Sequence, residues 1–155
     1  KKKMVSVFRV AIRCRLFSTV SNGSFPKVDS NGLIKLQQGD FVEMSRRFSE
    51  QDVKNFASVC GDHNPIHLDE KIAQQSRFGR RVVHGMLTAS LFSTLFGTAI
   101  PGSIYLDQKL KFQAPVFIDD LVTARVEVQR ILSNKIVCCK TSVKNTEETI
   151  VIDGS

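Results

Sequence analysis

The side chains best suited to proton transfer lie in one short polar segment, Asp62-His63-Asn64-Pro65-Ile66-His67. Asp62 and His67 bracket an Asn-Pro pair, and the restricted backbone of Pro65 is expected to hold the intervening residues out of helical geometry. A carboxylate and an imidazole on one rigid loop can hold a water molecule between them and move protons in both directions. Taken alone, this common spacing favours a structural hydrogen bond within a loop, so the surrounding sequence must decide.

Helices predicted on both sides of this segment would position the two side chains. The run Ser49-Glu50-Gln51-Asp52 is typical of an N-cap with an acid at the third helical position, and the following apolar spacing predicts a helix that stops at Gly61. Residues 69–77 are predicted to form a short helix. Residues 82–96 have almost no polar face, which predicts a long buried helix whose end is marked by Gly97 and Pro101.

Strands are predicted before and after these helices. Residues 40–48 have the character of a strand, and apolar and polar residues alternate along 104–112 and 122–128. Two further candidate strands are residues 135–143 and 149–152. Alternation with one face exposed to water is typical of antiparallel sheets. The predicted fold class is therefore α+β, with an antiparallel sheet able to wrap one long helix.

At this point the sequence resembles a known family. The polar segment and the motifs that follow it are similar, in order, to those of the MaoC-like family, which includes the bacterial (R)-specific enoyl-CoA hydratases. The motifs occupy residues 56–67, 83–87, 89–93, 101–106 and 112–116. The resemblance covers about residues 38–154, and it implies the hot-dog fold, in which an antiparallel sheet wraps a long central helix.

The resemblance implies a hydratase or dehydratase acting on acyl thioesters without a cofactor. Asp62 and His67 would be the catalytic pair that binds and activates water. Gly85 would offer its backbone N–H to the thioester oxygen, because the reaction passes through an enolate-like state and a helix N-terminus favours negative charge. The stereoisomer implied is the (3R)-hydroxyacyl thioester. Which member of the pair acts as acid and which as base stays open at this stage.

Three further side chains have supporting or binding roles by the same resemblance. Ser93 matches a serine that supports the active-site loop and the substrate, although a hydroxyl bonded back to a helix carbonyl is an equal alternative. Asn64 is expected to shape the loop. His84 is expected to support the start of the long helix as a structural histidine.

A basic cluster precedes the long helix. Arg77, Arg80 and Arg81 could attract the acidic surface of an acyl carrier protein or the phosphates of coenzyme A, and these two carriers are the candidate substrate partners. A solvated surface cluster is the alternative. The family pattern also implies a homodimer with its acyl pocket near the subunit interface.

Competing functions have weaker signals. A zinc site is not predicted, because Pro65 interrupts the helical spacing of His63 and His67 and no Cys-x2-Cys motif is present. An acyl thioesterase is the nearest competing enzyme class on this fold. A basic RNA-binding module depends chiefly on the net charge of +7, and no RNA-type aromatic motif supports nucleic-acid binding.

The distribution of that charge points to an organelle. Seven of the 22 basic residues and none of the 15 acidic ones lie in residues 1–28, so the remainder is neutral. We therefore predict a mitochondrial transit peptide at residues 1–17, whose first three lysines precede Met4 and are assigned no role. Residues 18–38 would be a flexible lead-in and residues 39–155 the enzyme domain, located in the mitochondrial matrix. No membrane span is predicted.

Overall fold

The computed structural model describes residues 8–10, 27–28, 34–133 and 136–155. Within these ranges nine strands and four helices follow in chain order. They are β1 (Phe8–Val10), β2 (Lys27–Val28), β3 (Ile34–Lys35), β4 (Phe41–Arg47), α1 (Glu50–Cys60), α2 (Pro65–Leu68), α3 (Glu70–Gln75), α4 (Gly85–Ala99), β5 (Ser103–Ile104), β6 (Leu110–Phe112), β7 (Leu121–Ser133), β8 (Ile136–Asn145) and β9 (Ile150–Gly154).

Helix α1 begins and ends where the sequence predicts. The Ser49 hydroxyl accepts the backbone N–H of Asp52, and the Asp52 carboxylate accepts the backbone N–H of Ser49 in return. At the other end, Gly61 adopts a left-handed conformation with φ +78°, which glycine reaches at little cost, and its N–H bonds the carbonyl of Ala57. These two caps fix the point at which the chain enters the polar segment.

The polar segment is a loop only in its first half, since residues 62–64 have no regular secondary structure and α2 begins at Pro65. The expectation that Pro65 keeps the residues up to His67 out of helical geometry was therefore wrong for the second half. Proline is favoured at a first helical position because its missing N–H would be unpaired there and its φ already fits a helix. Asn64 caps this turn by accepting the N–H of Ile66 at 3.3 Å. His67 is thus carried by a short helix.

The long helix α4 packs against the large antiparallel sheet. Strands β4, β7 and β8 are neighbours in the order β4-β7-β8-β1-β5, and β9 pairs with both β8 and β6. The buried face of α4 meets β4, β7 and β8 through Leu91, Phe92, Leu95 and Phe96. Burying each such side chain contributes about 1.5–3 kcal/mol. This confirms the predicted α+β arrangement and holds the start of α4 in place.

One detail of the predicted core was wrong. Helix α4 is not buried all round, because Ser90, Ser93, Thr94 and Gly97 form an exposed stripe at helical spacing. The helix ends at Ala99, between the two residues predicted to mark its end, and the N–H of Ile100 bonds the carbonyl of Phe96 in the last turn.

The predicted strand over residues 104–112 is interrupted. Only Ser103–Ile104 and Leu110–Phe112 are strands, and the side chains expected to point inward at Ile104, Leu106 and Phe112 are about half exposed or more. The alternating pattern indicates which side chains lie on the same face of a strand, but it does not indicate whether other residues of this chain bury that face.

The N-terminal predictions fall mostly outside the described residues. Of the predicted transit peptide, residues 1–7 and 11–17 lie outside them, and Phe8–Val10 form β1, paired with β5 and β8. In the predicted lead-in, β2 pairs with β3 and Leu36 packs against the core. Within the described ranges, no helix has both the length and the apolar character needed to cross a bilayer.

Candidate active site

A cavity of about 570 Å³ opens where the polar segment meets the start of α4. Its wall is formed by residues from α1, α2, the segment between α3 and α4, α4 itself, residues 112–116 and β9. The predicted site residues Asp62, His67, His84, Gly85 and Arg77 are among those that line it. Apart from these side chains the wall is mostly apolar, which is typical of a pocket for a small organic ligand.

The carboxylate of Asp62 is held at the cavity by the turn that follows α1. Its Oδ1 accepts the backbone N–H of Asn64 at 3.1 Å, and its own N–H donates to the Sγ of Cys60 at 3.4 Å. These local bonds leave Oδ2 directed toward the two histidines, 3.8 Å from His67 Nε2 and 4.0 Å from His84 Nε2. The side chain is half exposed, so the carboxylate remains in contact with solvent.

The imidazole of His67 is buried and has a defined hydrogen-bonding direction. Its Nδ1 lies 2.8 Å from the carbonyl oxygen of Val82, and because a carbonyl only accepts, Nδ1 must carry a hydrogen. In the neutral ring, Nε2 then has the free lone pair and faces Asp62. Burial lowers the pKa of His67 and outweighs the opposing hydrogen bond to Val82, while repulsion from His84 lowers the pKa further. The lowered pKa keeps the ring in its neutral form, in which Nε2 can accept a proton.

The separation of 3.8 Å between His67 Nε2 and Asp62 Oδ2 exceeds a direct hydrogen bond. In these protonation states both atoms are acceptors, so one water molecule lying beside them can donate a hydrogen to each. The two side chains can therefore bind the same water molecule.

His84 lies directly behind this pair. It is 2% exposed, its Nε2 is 3.0 Å from the main-chain oxygen of Asp62, and its ring stacks on that of His67 with centroids 3.8 Å apart. The ring of Phe56 packs on it at 5.1 Å. The predicted supporting histidine thus contacts both Asp62 and His67, and the sequence alone contained no signal for that contact.

Gly85 begins α4 at the mouth of the cavity. The first N–H groups of a helix have no partner within the helix, so the N-terminus of α4 offers donors and positive potential to an anionic oxygen. A Cβ atom placed on Gly85 would lie 2.8 Å from Cε1 of Phe112. The ring of Phe112 therefore occupies the space that a side chain at position 85 would need.

Two of the predicted residues lie away from the cavity wall. Asn64 shapes the turn as the cap of α2 and is not among the residues that line the cavity. Ser93 lies two turns beyond Gly85, about 12 Å along the helix, and is exposed. The described chain does not bring Ser93 to the cavity.

The three arginines have different surroundings. Arg81 is mostly buried and bonds Glu70 at 2.9 Å and Glu50 at 3.1 Å, so it stabilises the contact between α1 and α3. Arg80 lies 3.7 Å over the ring of Phe117. Arg77 lines the cavity, with its guanidinium 4.7 Å over the ring of Phe78. Of the three, Arg77 is the one placed to meet a bound ligand.

Sequence reasoning missed part of the cavity wall. Thr88, Val151 and Ile152 line it but carry no pattern that separates them from ordinary core residues. Residues 112–116 also line it, and the only signal for them was the family motif that they match.

The donor atoms of Asp62, His67 and His84 lie within 4.8 Å of one another, which raises the question of a metal. Zinc in proteins takes tetrahedral coordination, so the lone pairs of its ligands must converge on one point. The two imidazoles are stacked at an interplanar angle of 29°, so an ion in the plane of one ring lies well out of the plane of the other. The arrangement therefore favours proton transfer over metal ligation.

Comparison with known proteins agrees with this geometry. The family model described as "MaoC like domain" matches residues 35–151. An (R)-specific enoyl-CoA hydratase of Aeromonas caviae is 46% identical over 109 residues, which cover 69% of this chain and 81% of that protein. A mitochondrial 3-hydroxyacyl-[acyl-carrier-protein] dehydratase of Arabidopsis thaliana is 38% identical over 135 residues, which cover 84% of this chain and 80% of that protein.

Solved structures give the same result. The (R)-hydratase of A. caviae involved in PHA biosynthesis superposes with a TM-score of 0.74 at 43% identity, covering 77% of this chain and 92% of that one. The R-hydratase PhaJ1 of Pseudomonas aeruginosa has a TM-score of 0.74 at 35% identity, covering 84% and 83% respectively. These similarities confirm the hot-dog fold. Because the matched region includes the Asp62–His67 segment, the start of α4 and the strands around it, the chain belongs to the MaoC-like domain family.

Proposed function

We propose that this chain is a hydro-lyase that interconverts (3R)-3-hydroxyacyl thioesters and trans-2-enoyl thioesters. The observation that carries the proposal is the facing pair of His67 Nε2 and Asp62 Oδ2 in a cavity that also receives the N-terminus of α4. One side of the cavity can activate water, and the other can stabilise negative charge on an oxygen. The named activities of the relatives support the same reaction class and the (3R) stereoisomer.

In the hydration direction, a water molecule donates one hydrogen bond to Asp62 and one to His67. His67 Nε2 takes a proton as the water oxygen forms its bond to C3 of the enoyl group. The C2–C3 double-bond electrons move toward the thioester oxygen, where the first N–H groups of α4 stabilise the enolate. The imidazolium of His67 then returns the proton to C2. Dehydration follows the same steps in reverse, so atoms and charge balance and no cofactor is needed.

We propose an acyl carrier protein as the physiological carrier and the dehydration step of mitochondrial fatty acid synthesis as the role. The plant relatives named as mitochondrial acyl-carrier-protein dehydratases support this role. So does the acid-free basic segment at residues 1–28, which has the composition of a mitochondrial presequence. Arg77, at the cavity, would meet the phosphate that both acyl carrier protein and coenzyme A bring to the entrance.

We also propose that the chain acts as a homodimer. Large apolar side chains stay exposed beside the start of α4 and on the following segment, notably Met86, Ile104, Leu106 and Phe112. Monomeric proteins rarely leave an extensive apolar surface uncovered, and a second copy of the chain would cover this one. Light scattering on the purified protein tests the dimer, and a monomer at micromolar concentration would contradict it.

The activity is tested with crotonyl-CoA. Hydration lowers the absorbance of the enoyl thioester, and chiral analysis of the product identifies the (3R) alcohol. We expect Asp62→Asn and His67→Gln each to lower kcat/KM by about two to four orders of magnitude, because each removes one partner of the water. Asn retains the acceptor that bonds the N–H of Asn64, so Asp62→Asn preserves the turn.

Two results would contradict the proposal. Unchanged rates in both variants would remove these residues from the mechanism, and release of free thiol by the wild-type protein without hydration would identify a thioesterase. The carrier is decided separately, by comparing kcat/KM for the same acyl group on acyl carrier protein and on coenzyme A. A preference for coenzyme A would overturn the proposed role in synthesis and leave the reaction class intact.

A further inference from the structure

The buried side chain of His84 does not cap the helix that it precedes. It is the N-cap residue of α4, yet its side chain makes no cap hydrogen bond to that helix. Instead its Nε2 donates to the main-chain oxygen of Asp62, 22 residues earlier in the chain. The other ring nitrogen, Nδ1, is buried without a hydrogen-bond partner among the described residues. An arrangement that leaves a buried nitrogen unpaired costs free energy, so packing alone gives a poor account of this histidine.

The contacts of His84 converge on the catalytic pair. The hydrogen bond to the carbonyl of Asp62 holds the backbone from which the carboxylate extends, and the stacked ring supports one face of His67. Phe56 of α1 packs against His84 and so limits the orientations of its ring. The next residue, Gly85, is the first of the helix that presents N–H donors to the thioester oxygen. The dipeptide His84-Gly85 thus contacts Asp62 and His67 and also begins the helix that supplies the N–H donors.

We propose that His84 is a positioning residue, which fixes Asp62 and His67 relative to the N-terminus of α4. Its N–H holds the Asp62 backbone, and its ring face sets the position of the His67 imidazole. The separations between the water-binding pair and the oxyanion donors are therefore set by His84-Gly85. This inference rests on the proposed function, and it adds a role for a side chain that does not touch the reacting atoms.

Several charged or titratable groups lie around His67, and the test must separate the effect of His84 from theirs. Asp62 faces it from the turn after α1 and His84 from the start of α4, while Val82 contributes a carbonyl. Cys60 and Arg77 line the same cavity. Of these groups, His84 repels the protonated form of His67 and Asp62 attracts it. Removing the His84 imidazole therefore raises the pKa of His67.

The test variant is His84→Phe, which retains an aromatic face but removes the N–H donor. We expect kcat for crotonyl-CoA to fall by about 10- to 100-fold through loss of alignment, while KM changes by less than about threefold. We also expect the acid limb of the rate profile to move to higher pH. Thr141→Val is the matched control, because Thr141 is fully buried and bonded to Gln108 outside the cavity. Its loss of stability should leave kcat and the pH limb unchanged.

A second measurement keeps this inference independent of turnover. The chain has three histidines, so the ring proton resonances of His67 can be assigned with His67→Gln and titrated by NMR in the wild type and in His84→Phe. A higher pKa of His67 in His84→Phe shows that the two stacked imidazoles interact in the folded protein even if crotonyl-CoA is not hydrated, a result that would refute only the proposed function. Wild-type kcat in His84→Phe, or an unchanged His67 titration, would overturn the role of His84.

Discussion

Replacing Gly85 by alanine tests whether the start of α4 matters more for catalysis than for the stability of the fold. The backbone of Gly85 is not in the left-handed region, so an alanine fits the helix without strain and gains about 0.5–1 kcal/mol over glycine. Against this gain, the new methyl group would lie 2.8 Å from Cε1 and 3.0 Å from Cδ1 of Phe112. Phe112 is half exposed, so its ring can turn away at small cost. We therefore expect a change of less than about 1 kcal/mol in the free energy of unfolding.

The effect on catalysis should be much larger. The added methyl group and the displaced ring both enter the cavity beside the first N–H of α4, where the thioester oxygen must approach. Losing one oxyanion donor costs about 10²- to 10³-fold in kcat, equal to about 2.7–4 kcal/mol. We expect Gly85→Ala to lower kcat for crotonyl-CoA hydration by this factor while the thermal midpoint stays near that of the wild type.

The same helix provides the control. A Cβ on Gly97 meets nothing within 4 Å, so Gly97→Ala should stabilise the protein slightly and leave kcat unchanged. The double variant Gly85→Ala with Phe112→Leu should recover part of the activity if the displaced ring contributes to the loss. The reasoning is refuted if Gly85→Ala, folded as judged by its thermal midpoint, retains wild-type kcat.

The remaining predictions concern charge. Arg81→Met removes the ion pairs that join α1 to α3, so we expect a lower thermal midpoint and an unchanged KM for the acyl carrier. Arg77→Gln should instead raise that KM several-fold at low salt. At high salt the difference in KM between Arg77→Gln and the wild type should disappear. Burial lowers the pKa of His67, so its base form persists below the ordinary value of about 6.5, and the acid limb of kcat/KM should lie under that pH. Because the unfolded chain then binds this proton more readily than the folded one, thermal stability should fall as the pH drops below about 6.5 and be unaffected by His67 above it.

Local structure was the most predictable part of this protein. The capping box at Ser49 and Asp52 and the left-handed Gly61 are short-range features, and α1 has the predicted bounds as a result. Strand β8 closely follows its predicted range and β7 contains its own, because alternation of apolar side chains is imposed by the backbone itself, although β7 continues to Ser133. Pro65 was misjudged because proline both ends one helix and begins another, and only the Asn64 cap distinguishes the two cases.

The sequence by itself determined the chemistry available: a carboxylate and an imidazole five residues apart, and a glycine where a long apolar helix begins. Only the tertiary structure decided how those groups act together. The carbonyl of Val82 fixes which nitrogen of His67 faces Asp62, and His84 contacts both of these residues. Arg81 is held by Glu50 and Glu70, whereas Arg77 lines the cavity. These contacts join residues 11 to 31 positions apart. Periodicity and capping signals extend over only a few residues, so contacts at such separations are set by how the helices pack on the sheet.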